Sequence, residues 1–179
     1  MLRGVAQPTP TDAVATLEEG HRSSAALFAR LSDGQLQQTA TIGDGDWSAR
    51  DLMAHLEVWE ALALQSLQEW RNATRPFIED VFAKGSDGVD AFNAERVQAK
   101  RGLSLDEVRI QAADTHRELI EELSHMDDEE WKAKAFYETE RRSTLGNLLG
   151  SITGAPKRPF GHAFAHLPDL EYYVASLDT

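Results

Sequence analysis

The sequence predicts an all-α protein, a four-helix bundle with short additional helices. Three observations carry that prediction. Four long segments repeat apolar residues at helical intervals of three and four positions, so each can bury one stripe. Helix-start signals precede the segments, most clearly Ser48 with Asp51, Ser104 with Glu107 and Thr144 with Asn147. Glycine, proline and aspartate cluster between them, as in Ser32-Asp33-Gly34, Gly43-Asp44-Gly45-Asp46 and Gly154 to Pro159. With 179 residues, 41% of them apolar, the chain is long enough for one domain with a real core. Residues 1–9 are expected to form a flexible arm and residues 10–179 the bundle.

The first helix is expected after a Thr9 or Thr11 cap and runs to about Leu31. Val14, Leu17, Phe28 and Leu31 form its stripe, with His21 and Ser24 completing the repeat. Ser32-Asp33-Gly34 stops it. Ser48 caps a second helix from Ala49 to about Trp70, with Trp47 placed to pack back over its first turn as a staple. Leu52, His55, Leu56, Trp59, Leu62 and Ala63 face inward there, which puts His55 among the core-facing positions. Pro76 ends this helix, and residues 72–89 form a connection with a short helical turn at 77–82. A modest helix follows from Asp90 to Lys100. The Ser104 box opens a third long helix with Val108, Ala112, Thr115, Leu119, Leu123 and Met126 inward; His116 flanks that stripe and His125 lies off it, both partly solvated. The acidic run Asp127-Asp128-Glu129-Glu130 reads as a helix start and not a metal cage, because adjacent carboxylates on a helix point in different directions. Residues 132–142 are irregular. A helix then carries Leu145, Leu148, Leu149 and Ile152, and the last one runs from about Pro159 to Leu177, bent at Pro168 just after His166.

Composition narrows the function. A net charge of -12 argues against nucleic acid as a partner, since phosphates call for a basic face, and against anionic membranes. With no cysteine there is no disulfide, no thiolate ligand and no cysteine nucleophile, so any thiol must come from outside. Without a signal run or a membrane-length apolar stretch, a cytoplasmic protein is expected. Apolar bundle faces leave a homodimer open.

The chemistry lies in the histidines. His162 and His166, four apart on a helix, stand one above the other and can share a metal ion. His55 is the candidate third ligand, and three protein ligands leave a coordination position open, as in catalytic sites. Ala163, Phe164 and Ala165 fill the interval, so the glutamate of a zinc protease is missing. Zinc suits three imidazoles best; nickel, iron and manganese are also compatible. Trp59 and Met53 are candidate pocket walls, and His21 or Glu60 candidate proton carriers.

Trp47-Ser48, Asp51-Leu52-Met53-Ala54-His55-Leu56 and His162-x-x-x-His166-Leu167 together resemble the DinB/YfiT superfamily of metal-binding four-helix bundles. Ala91-Phe92-Asn93-Ala94-Glu95-Arg96 and Leu145-Gly146-Asn147-Leu148-Leu149 are similar to its ClbS-like and DfsB-like branch. The resemblance spans roughly residues 10–178. It implies that His55, His162 and His166 bind a divalent metal. It also implies a metal-dependent enzyme acting on a small electrophilic substrate, as an S-transferase with a low-molecular-weight thiol such as bacillithiol or mycothiol as co-substrate. The alternatives it implies are a ClbS-like hydrolase or resistance protein, and a non-catalytic binding or stress protein.

Overall fold

A computed structural model of the chain describes residues 8–139 and 142–177. Residues 1–7 of the expected arm, and residues 140, 141, 178 and 179 of the expected bundle, lie outside them. The described residues form α1 (Pro10–Phe28), α2 (Asp33–Gln37), α3 (Ala49–Arg71), α4 (Ile78–Phe82), α5 (Gly85–Lys100), α6 (Leu105–His125), α7 (Asp128–Lys132), α8 (Leu145–Ile152) and α9 (His162–Ser176). Helices α1, α3, α6 and α9 make the bundle: α1 packs on α6 and α9, α3 on α6, and α9 reaches α3. Helices α5 and α8 also pack on α3. Among the described residues no helix is long and apolar enough to cross a membrane.

Local chemistry sets the helix starts. At Thr9, Ser32, Ser48 and Ser104 the hydroxyl accepts from the backbone three residues on, while the side chain there accepts from the cap N–H. Each such cap is worth about 1 kcal/mol. Of the two threonines, Thr9 is the cap that forms. Ser32 does not simply end the first helix; with Gln35 it starts α2. Helix α1 stops at Phe28, and Leu31 is buried beyond its end.

Two further boundaries differ from expectation for steric reasons. Helix α5 begins at Gly85, five residues before Asp90, and contains Gly88. A Cβ on Gly88 would stand 2.7 Å from the Val81 carbonyl oxygen, so this glycine permits α4 and α5 to meet and does not break the helix. Helix α9 begins at His162, not Pro159, because Lys157 (φ 68°) and Phe160 (φ 61°) adopt left-handed backbone that a right-handed helix excludes. The helix continues through Pro168, burying Leu170, Tyr173 and Val174, while Leu177 is exposed.

The apolar core is divided. One cluster joins Leu17, Trp59, Leu62, Leu119, Leu123, Trp131, Leu148 and Phe160; the other joins Phe28, Leu36, Leu52, Leu170 and Tyr173. His55, between Leu52 and Trp59 on α3, sits where the two clusters meet.

Candidate metal centre

The start of α3 is pinned before His55 is reached. Asp51 is buried; its carboxylate accepts from the Ser48 N–H at 3.1 Å and from Arg101 at 3.1 and 3.3 Å. Arg50 donates to the carbonyls of Lys100 and Leu103. One turn on, His55 is only 2% exposed. The other two imidazoles come from the first turns of α9, delivered by the loop from Gly154 to Gly161. That loop is held by the Ala155–Arg158 bridge, by Phe160 N–H to the Gly150 carbonyl (3.4 Å) and by His162 N–H to the Thr153 carbonyl (2.9 Å).

The three sequence-selected histidines come together. The Nε2 atoms of His55 and His162 lie 3.0 Å apart, and those of His162 and His166 3.2 Å. Among the described residues they form the one cluster of three such groups close enough to share an ion, with ligand atoms all within 4.8 Å of one another. With zinc–nitrogen bonds of about 2.0–2.1 Å, tetrahedral ligand nitrogens stand roughly 3.3 Å apart, so the His55–His162 and His162–His166 spacings suit one ion. The trio is poorly served without one. A neutral ring nitrogen offers one in-plane proton or one lone pair, so His162 Nε2 cannot satisfy both neighbours. His55 Nδ1 is also buried without a partner among the described residues. A carboxylate commonly orients a ligating histidine; here His55 is held by packing, with the Trp47 ring centroid 4.8 Å and the Trp59 centroid 6.4 Å away.

Electrostatics keeps the lone pairs free. Burial, and then the two neighbouring imidazoles, pulls the His55 pKa down to about 2. Burial, and then His166, brings His162 to about 3. His166 is lowered by burial, against the opposing pull of Asp169. At neutral pH all three are uncharged, the form that binds metal. A stability effect follows. Unfolded imidazoles take up protons near pH 6.5, whereas folded His55 and His162 resist until far lower, so the unfolded state binds more protons as pH falls. Stability present above pH 6.5 is therefore lost between about 6.5 and 2. Lowering the pH from 7 to 5 is expected to cost the metal-free protein about 2 kcal/mol for each of His55 and His162, on the order of 4 kcal/mol together, read from urea midpoints, with a flatter dependence in His55→Phe.

All three histidines line a cavity of about 720 Å³. Trp47, Trp59 and Phe82 wall it, and the loop from Gly154 to Pro159 forms its rim. Asn93 accepts from the Trp59 indole N–H at 2.9 Å. Arg142 is fixed by two bonds to Glu79, 2.9 and 2.7 Å, with its guanidinium 4.6 Å over the Phe82 ring. Lys157 and Arg158 have no carboxylate partner among the described residues, and Arg158 lies over Phe164 at 3.4 Å.

Of the other candidates, Trp59 lines this cavity. Met53, His21 and Glu60 do not; they line a separate cavity, which meets the first at His162. His116, expected to be partly solvated, is 8% exposed: its Nδ1 lies 3.0 Å from Glu60 and its ring stacks on His21 at 3.8 Å. Sequence reasoning missed Trp47 as a site wall, having assigned it to a staple, and missed Arg142. Asn93 was within reach, inside one of the stretches that carried the family resemblance.

Comparison with known proteins agrees with this architecture. The sequence matches the DinB superfamily over residues 16–167. No curated protein matches it by sequence. Among solved structures, an uncharacterised protein from Escherichia coli UTI89 is similar with a TM-score of 0.77 at 13% identity, covering 97% of this chain and 96% of that one. The colibactin self-resistance protein ClbS in complex with a dsDNA is similar with a TM-score of 0.73 at 13% identity, covering 93% of this chain and 98% of that one. The second structure corrects the exclusion of nucleic acid drawn from net charge: a protein of this fold is seen bound to a duplex. Net charge sums a whole surface, whereas a duplex meets one local face.

Proposed function

Because the chain belongs to the DinB superfamily and brings three imidazoles to one point, we propose that it is a metal-dependent enzyme acting on small electrophiles, adding or exchanging a low-molecular-weight thiol. The observation that carries this reading is the convergence of three uncharged imidazoles on a cavity, with one side left for a reactant. His55, His162 and His166 would hold the ion, and their all-nitrogen set favours zinc. When bound, such an ion supplies a Lewis acid that lowers the pKa of a thiol or of water at its open position.

The chain's own residues do the rest. Trp47, Trp59 and Phe82 exclude water and receive the apolar part of a substrate. The Asn93 carbonyl is committed to Trp59, which turns its amide N–H groups toward other acceptors. Arg142 is neutralised by Glu79, whereas Lys157 and Arg158 leave positive charge at the rim, suited to a thiol bearing carboxylates. The chain has no cysteine to supply the sulfur. A cytoplasmic setting, where such thiols stay reduced, goes with this reading.

The fold likeness to a self-resistance protein favours a second reading, hydrolytic opening of a reactive small molecule at the same site. One assay separates the two. The protein is incubated with a panel of small electrophiles, with and without bacillithiol, mycothiol or glutathione. Thiol-dependent turnover, lost in His166→Ala, is the expected result. Turnover that ignores the thiol supports the hydrolase, and none under any condition counts against both.

A further inference from the structure

Helices α1, α3 and α6, with the start of α9, line a cavity of about 380 Å³ that meets the triad pocket at His162. Its mouth is open because the facing segments carry alanine there, Ala25 on α1, Ala29 just past its end and Ala113 on α6. Its walls are large and apolar, among them Leu17, Phe28, Met53 and Phe160, drawn from both core clusters. Protein interiors pack at the density of organic crystals, so a void of this size forfeits contacts on every wall. Its volume lies in the range that takes a small organic ligand.

The inner end is polar. The Glu60 carboxylate lines it, held by His116 Nδ1 at 3.0 and 3.2 Å, and His116 stacks on His21, which also lines the cavity. A carboxylate has about four lone-pair positions, so Glu60 can accept a further hydrogen bond. At the mouth, Arg109 is already paired with Asp33 (2.7 Å) and Asp106 (3.2 Å), leaving no spare positive charge to draw an anion past Glu60. A cation is disfavoured too, since apolar walls would desolvate it beside a carboxylate that His116 already serves.

We propose that this cavity is a second ligand site, separate from the triad pocket, for a neutral and largely apolar small molecule bearing one hydroxyl that donates to Glu60. The inference stands on the cavity alone and does not depend on the metal reading. Because His162 lines both cavities, an occupant would lie beside one member of the triad.

The chain has three methionines. Met53 lines this cavity, while Met126 is buried in the first core cluster. 2-Naphthol, a neutral donor, is titrated into protein as purified, carrying ¹³C-labelled methionine methyls, with 2-naphthoate as its anionic counterpart. The expected result is a saturable shift of the Met53 methyl with Met126 unmoved, and binding of 2-naphthol at least tenfold tighter than 2-naphthoate. Ala113→Phe, which fills the mouth, should weaken 2-naphthol at least tenfold, and Ala25→Leu, at an exposed position of the same mouth, should act in the same direction. A Met53 methyl that stays fixed, equal binding of the naphthoate, or undiminished binding in a folded mouth variant would overturn the proposal.

Discussion

Replacing His55 by alanine is expected to cost the protein its metal. His55 supplies one of three nitrogens at 3.0 Å from the next, and the described residues place no other metal-binding group close enough to take over. Because altering even groups that only orient a ligand commonly costs 10- to 100-fold in affinity, removal of a ligand itself should cost about 100-fold or more. The measurement is metal content by elemental analysis of protein purified without nickel resin, followed by competition with a chelator. The effect should be selective. His125→Ala removes an exposed imidazole and should leave metal content unchanged. His116→Ala should lower stability by about 1–3 kcal/mol, since Glu60 loses its partner, yet retain the ion.

The second large effect is expected from Phe160→Ala, at a residue that touches no ligand atom. Phe160 is 3% exposed, stacks on Trp131 with ring centroids 5.7 Å apart, and lies against Gly150, where an added Cβ would meet its ring at 3.0 Å. It also holds left-handed backbone two residues before His162. That conformation is strained for a bulky residue and persists because the ring is anchored. Truncation to alanine should cost about 3–5 kcal/mol of unfolding free energy by opening a cavity in the core. It should also free the loop that delivers His162, weakening metal binding by roughly tenfold through the added ordering cost. Denaturant unfolding of the metal-free protein reads the first effect and metal titration the second. A fall in stability with unchanged metal affinity would show that His162 owes its position to α9 and the Thr153 bond alone.

The parts of this molecule that were legible in the sequence are those set by short-range chemistry. The Ser48–Asp51 and Ser104–Glu107 boxes name their helix starts to the residue, and the inward stripe of α3 carries His55 to the divide in the core. The interval between His162 and His166 fixes their shared face. What was not legible depends on contacts between distant segments. Gly88 reads as a breaker unless one knows that the Val81 carbonyl presses on it. Pro159 reads as a first-turn residue unless the left-handed turn at Lys157 and Phe160 is known. Met53 and Trp59 were both candidate walls of one pocket, but six residues apart on α3 they lie about 120° from each other, given 100° per residue, and they line different cavities. His116 flanks the apolar stripe, and its pairing with Glu60 across the bundle and its stack on His21 explain its burial.

The central claim is that His55, His162 and His166 hold one ion together. X-ray absorption at the metal edge of wild-type protein, purified without nickel resin and reconstituted with zinc, tests it most directly because it counts imidazoles around the metal. One tightly held ion per chain with three histidine nitrogens at about 2.0–2.1 Å is the predicted result. A protein that takes up no stoichiometric ion, or an ion with two or fewer histidines in its shell, would contradict it.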